Sequence, residues 1–287
     1  MAVDTLRRFL LEQAHVRGEW VHLDTTWQEM LQRADYPAFV RKVLGEALTA
    51  VALLSATIKH SGSLILQIRG DGPIHLLVVQ ATDQGTVRGL AQWNREAEGA
   101  ALPDLFGAGH IAMTLEGQKS SERYQSLIPI EGESLAAALE AYFARSEQLP
   151  TRLWLTADDH TAAGMLLQRL PREHTSDEDW QRASLLLDTL TAQELVHLEP
   201  EDVIYRLFHE EEPRLFDPKP IRFHCGCNRG RVESMLRSLG QTEAETILAE
   251  QGNIAITCEF CNATYTLDAV DVGQLFKPSM PGTDTLH

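Results

Sequence analysis

The 287-residue chain holds only four cysteines, and they fall as two close pairs: Cys225 and Cys227 in "FHCGCNRG", Cys258 and Cys261 in "ITCEFCNATY". Thirty residues, 228 to 257, separate the pairs. Two such pairs can be folded into one tetrahedral thiolate site. Zn²⁺ is its natural occupant, because it favours sulfur at about 2.3 Å and is recurrently held by four cysteines. The C-x-x-C half is the stronger signal; the C-x-C half is less common, and Gly226 is expected to ease the backbone through it. His224 adjoins the cluster, but with four thiols at hand it reads as a neighbour of the site. Closure by four protein ligands leaves no position for water or substrate, which argues against a catalytic metal and against an enzyme. A thioredoxin-like use of Cys258 and Cys261 would need a helix N-terminus in a βαβ setting, whereas "NIAITCEFCNATYTLD" reads as a strand, a knuckle and a second strand.

Thiolates on zinc stay nucleophilic toward oxidants, and oxidation to disulfide removes the ligands the metal requires. Each near pair can cross-link within itself, Cys225 with Cys227 and Cys258 with Cys261, without long-range rearrangement. Residues 221–287 carry few large apolar side chains, so a unit this small needs a staple. Structural zinc contributes on the order of 10–16 kcal/mol to small modules. A disulfide closing a tiny loop restores almost none of that constraint. The arrangement can therefore turn an oxidant into local unfolding.

The elements that position these thiols divide into three regions. Residues 1–172 read as a mixed α and β domain. Pro37 near a first turn, with Val40, Leu44, Leu48, Val51 and Leu54 at three- to four-residue intervals, predicts a long buried helix over 36–60. Five strand-like runs follow: "SLILQIRG", "IHLLVVQA", "TVRGLAQW", "HIAMTLEG" and "YQSLIPIE". Then come a helix entered at Ser134 and stopped before Pro150, the strand "TRLWLTA" and a buried run, "AAGMLLQRL". The glycines of "RGDGP" mark a turn and lack phosphate-loop spacing.

Residues 173–220 form an acidic helical linker. Ser176 is the expected N-cap of a helix whose face carries Trp180, Ala183, Leu187 and Leu190. Thr191 with Glu194 is a capping-box pattern, and Pro200 opens a helix with Val203, Ile204, Leu207 and Phe208 on one side. That helix runs into Glu210, Glu211 and Glu212, like charges where the macrodipole is already negative. Short helices of this kind are ordered only while docked on a neighbour. Residues 221–287 then make the Cys₄ zinc-binding domain.

Twenty-five basic residues against forty-one acids leave a net charge of −16. Four basic residues against thirteen acids put −9 of it in residues 173–220. Such a chain lacks the basic face that phosphate binding needs; a zinc-ribbon regulator binding nucleic acid is the competing reading, yet residues 221–287 carry five basic residues against eight acids. The N-terminus has no apolar signal core, and the longest apolar run, Ala47 to Ile58, is too short for a bilayer span. A cytoplasmic protein is expected. There thiols stay reduced, which favours metal over permanent disulfides.

"HCGCNRGRVESML" and "LAEQGNIAITCEFCNATYTLDAVD" resemble the heat-shock protein 33 family, as do "AYFARSEQLPTRLWL", "AAGMLLQ", "RGDGPIHLLVV", "SERYQ" and "YRLFHEEE" upstream. The resemblance spans nearly the whole chain. It implies an α+β chaperone that needs no ATP, binds unfolding client proteins and prevents their aggregation. In the reduced state one zinc ion is held and the protein is inactive. Under oxidative stress zinc leaves, disulfides form within each pair, the zinc domain and linker lose structure, and homodimers assemble. No nucleic-acid or membrane partner is implied. One departure is Ser121 and Ser126, which stand where the family pattern leads one to expect glycines.

Overall fold

The N-terminal residues form a hairpin, β1 (Thr5–Leu11) and β2 (Val16–Leu23), in antiparallel register from Thr5↔His22 to Leu11↔Val16. A short helix α1 (Thr25–Leu31) leads into α2 (Ala38–Thr57), with Pro37 as N-cap. This computed structural model describes residues 4–97, 99–117, 123–171 and 177–277. Contacts divide it into two units, Met1–His224 and Cys225–His287.

In the first unit, β3 (Gly62–Gly70), β4 (Ile74–Thr82), β5 (Thr86–Trp93), β6 (Gly109–Gly117) and β7 (Arg123–Pro129) are the five expected strands, with α3 (Leu102–Phe106) between β5 and β6. Ser134 caps α4 (Leu135–Tyr142), accepting the Ala137 amide at 3.2 Å. The helix expected to continue toward Pro150 changes pitch after Tyr142. Phe143–Glu147 form a π turn that ends on Gln148 at φ 55°. The Tyr142 hydroxyl anchors the change by donating to Glu147 at 2.6 Å, and it lies 2.8 Å from Ser126 Oγ. Ser126 thus sits on a regular strand; Ser121 and the Ser176 cap lie outside the described residues.

Strands β8 (Thr151–Ala157) and β9 (Ala162–Arg169) complete one sheet in the order β8-β9-β2-β1, while β7-β6-β3-β4-β5 forms the other. Helix α2 lies between them, its Leu44, Leu48, Val51 and Leu54 fully buried with Val21, Leu64, Leu77 and Leu166. The unbroken apolar run of β9 is a strand because both faces of its sheet are covered. Gly164 keeps helix and sheet close: a Cβ there would lie 2.6 Å from Thr49 Cγ2.

The other face of that sheet, with Phe9, Leu11, Val16, Trp20 and Met165, is roofed by α5 (Asp177–Leu187), α6 (Ala192–His197) and α7 (Pro200–Phe208). Ala183, Leu187, Val203, Ile204, Leu207 and Phe208 are buried there, as the helical spacing predicts. Thr191 and Glu194 form the capping box. Phe208 stacks on Phe9, with 5.8 Å between centroids, and the Phe9 ring covers Gly18, where any Cβ would collide with it. The acidic helix end is relieved from α5. Glu211 is buried, and its carboxylate takes Arg182 Nε at 2.7 Å. The chain then returns along β1 as β10 (Arg214–Leu215) and β11 (Lys219–Pro220), and crosses to β5 as β12 (Arg222–Phe223). Ile221 is buried in the α2 core, so residues 221–224 belong structurally to the first unit.

The second unit contains α8 (Arg229–Leu239), α9 (Gln241–Gln251), the antiparallel pair β13 (Ile254–Thr257) and β14 (Thr264–Leu267), and α10 (Ala269–Leu275). Its core is thin: Val232, Leu236, Ala244, Ile254, Leu267, Val272 and Leu275. No helix among the described residues is long and apolar enough to cross a membrane.

Candidate metal centre

The β13–β14 register, Ile254↔Leu267 to Thr257↔Thr264, leaves residues 258–263 as the connecting knuckle. The Cys258 amide donates to Ala263 O at 2.9 Å and the Asn262 amide to Cys258 O at 2.8 Å. Asn262 adopts φ 58°, a conformation asparagine tolerates well. This turn aims backbone amides at sulfur: Phe260 and Cys261 N–H at Cys258, Ala263 N–H at Cys261. Such donors favour thiolate.

The other pair lies just ahead of α8. Asn228 caps α8, accepting the Arg231 amide at 3.0 Å, so Cys227 lies just ahead of a helix N-terminus, where negative charge is favoured. The Tyr265 hydroxyl donates to Cys227 Sγ at 3.3 Å, and its pKa is pushed up to about 12, first by that hydrogen bond. Gly226 is a correction to the expectation of a tight approach. It does not take a positive φ, and a Cβ there would meet Arg231 at an ordinary 3.5 Å, so the backbone does not demand glycine. His224 is exposed and outside the cluster, its amide bonded to Val87 O at 3.1 Å.

All four sulfurs lie within 4.8 Å of one another. Cys225 and Cys258 approach to 3.6 Å, Cys227 and Cys261 to 3.3 Å. Thiolates at about 2.3 Å around a tetrahedral ion would stand about 3.8 Å apart, so the cage has the right size for Zn²⁺. The proton balance agrees. Burial raises the Cys258 pKa, and burial reinforced by the three neighbouring sulfurs pushes that of Cys261 up to about 12. Four thiolates cannot share this space unless a cation compensates them, and a dication reverses the preference. The donor set therefore fits zinc. Sequence spacing singles out all four residues but neither the amide donors nor Tyr265; the signal for Tyr265 is its place four residues past C-x-x-C, in strand register.

A family model described as Hsp33 protein matches residues 4–268. The 33 kDa chaperonin of Nitrosococcus oceani is 49% identical over 286 residues, covering 99% of both chains. The 33 kDa chaperonin of Methylobacillus flagellatus is 46% identical over 289 residues, again covering 99% of each. The crystal structure of the 33 kDa chaperonin of Thermotoga maritima, a heat shock protein 33 homolog, matches the fold with a TM-score of 0.84 at 24% identity. That match covers 96% of this chain and 98% of that one. Fold and relatives together place this α+β protein in the class of molecular chaperones. The chain belongs to the Hsp33 family.

Proposed function

We propose that the protein is a redox-regulated holdase, inactive while reduced and activated by oxidation. The observation that carries this reading is the convergence of all four thiols within 4.8 Å, in a unit whose described residues bury a core of seven side chains. In the reduced state Cys225, Cys227, Cys258 and Cys261 hold one Zn²⁺, which when bound supplies a structural crosslink and stabilises the thiolates. The protein performs no catalysis and uses no ATP.

With a peroxide as oxidant, a cysteine thiolate attacks the O–O bond, giving a sulfenic acid and hydroxide. The partner thiolate displaces a second hydroxide from that sulfur and closes the disulfide. Two electrons pass from sulfur to oxygen, and two protons convert the hydroxides to water. Pairing within each half, Cys225–Cys227 and Cys258–Cys261, is the version that unfolds the unit, because such bonds constrain almost nothing. A crossed bond would instead staple α8 to the β13–β14 knuckle.

The domains are then an N-terminal chaperone domain, 1–172, a metastable linker, 173–220, and the redox segment, 221–287, whose first four residues pack with the first unit. Melting of α5–α7 uncovers the apolar sheet face around Phe9 and Trp20, where segments of unfolding proteins can dock in the cytoplasm; oxidised chains assemble as homodimers. A zinc-ribbon role on nucleic acid is not favoured: Arg229, half of the small basic patch, is already paired with Glu233 at 3.1 Å and Asp271 at 2.5 Å.

The test follows zinc release and suppression of a client's aggregation together during peroxide and heat treatment. Both rise in parallel on this reading. Equal activity of the reduced, zinc-loaded protein would refute the switch.

A further inference from the structure

Within the first unit a cleft of about 750 Å³ opens beside β1 and β2, the C-terminal end of α2 and the β4–β5 turn. Its rim is the segment Phe216–Ile221, which hangs on β1 by the Phe216 amide to Arg8 O at 2.9 Å and the Ile221 amide to Asp4 O at 2.8 Å. Pairing is Phe9↔Leu215 and Leu6↔Lys219, so three residues, 216 to 218, face two, Arg7 and Arg8. The segment bulges over the cleft.

The lining is unusual for so acidic a chain. Four permanent cations, Arg8, Arg17, Lys59 and Lys219, face it, against Glu19, Asp83 and Asp217. Glu19 is only 3% exposed, and burial pushes its pKa up to about 7, so its charge offsets the cations incompletely. Arg8 Nη2 donates to Ala56 O at 2.7 Å and Arg17 Nη2 to the Gln168 side-chain oxygen, which fixes both guanidinium groups in the wall of the cleft. Ile58, Phe216 and Ile221 add apolar wall. The volume falls in the range of small-molecule sites.

We propose that this cleft binds a small amphiphilic anion, a carboxylate or phosphate monoester on an aromatic or short aliphatic body, which braces the Phe216–Ile221 segment against β1. The headgroup sits between the Arg8 and Arg17 guanidinium groups and the Lys59 and Lys219 ammonium groups, since guanidinium matches both anions bidentately. The apolar body lies along Phe216 and Ile221. Because this segment joins the α5–α7 helices to the thiol unit in sequence, occupancy would also stabilise the inactive state; that consequence rests on the function proposed above, whereas binding does not.

The experiment uses the full-length, reduced protein, titrated calorimetrically with phenyl phosphate and with 3-phenylpropionate, and with 3-phenylpropanol as the neutral match. At least one anion binds measurably and the alcohol much more weakly; a preference between the two assigns the headgroup. The double variant Lys59→Glu, Lys219→Glu, at two exposed positions, weakens binding by about tenfold or more, the scale of one lost charge-assisted contact. Hydrogen exchange of the Phe216 and Ile221 amides in the unaltered protein slows several-fold when the bound anion is present. Equal binding of the alcohol, no binding of either anion, or unchanged exchange at both amides would overturn the proposal. Neither readout involves an oxidant or a client, so failure here leaves the redox switch untouched.

Discussion

Glu19 shows what single-residue chemistry contributes to the first unit. It sits opposite Arg8 in the β1–β2 register, with Arg8 Nε 3.8 Å from its carboxylate, yet burial outweighs the surrounding Arg8, Arg17 and Lys219 and holds its pKa at about 7. The unfolded chain releases this proton near 4.5, so between 4.5 and 7 the folded state binds more protons than the unfolded one. Stability from this group is therefore full at low pH and falls as pH rises through that window. The difference between 4.5 and about 7 corresponds to roughly 3 kcal/mol. Glu19→Gln should accordingly stabilise the protein at pH 8 and change little at pH 4, below both values, as read from denaturant midpoints. Greater destabilisation at pH 8 than at pH 4 would mean that the Arg8 pair dominates. Glu46, likewise pushed up to about 7 by burial, adds a second contribution of the same sign.

At the scale of elements, α5–α7 depend on one docked face. Each is short, six to eleven residues, and below the length at which a helix persists alone in water. Phe208 is fully buried against Phe9, and its truncation to alanine should cost about 3 kcal/mol of docking. The expected readout is faster proteolysis within 177–212 of the reduced protein, with β3–β7 unaffected; an unchanged cleavage rate would show that the helices are held by something other than this face. Sequence made these helices legible because their apolar stripes and caps are local signals. Arg182 with Glu211 was not legible, since the pair spans 29 positions and forms only after α5 and α7 have packed.

For the molecule as a whole, two cores of very different depth share one chain. The first unit surrounds α2 with two sheets, whereas the second buries seven apolar side chains among its described residues. Chelating zinc from the reduced protein should unfold residues 225–277 and leave the β3–β7 sheet intact, visible as two separate transitions by hydrogen exchange. Cys258→Ser, or Cys261→Ser, should reproduce that pattern without a chelator. A variant with undiminished zinc stoichiometry and protease resistance would contradict the assignment of those thiols as ligands.

Sequence alone determined the features that depend on neighbours along the chain: the two cysteine pairs, the knuckle between β13 and β14, the long α2, and the caps at Ser134 and Thr191. Spacing and periodicity encode these directly, because a helix face or a turn closes within a few residues. Tertiary structure decided whatever joins distant positions. β1 and β2 became the shared wall of two cores, Ile221 entered the first of them, and Arg8, Arg17, Lys59 and Lys219 gathered around one cleft. Such groupings follow from which sheet face meets which helix, and that choice is made by burial of the whole chain rather than by any segment of it.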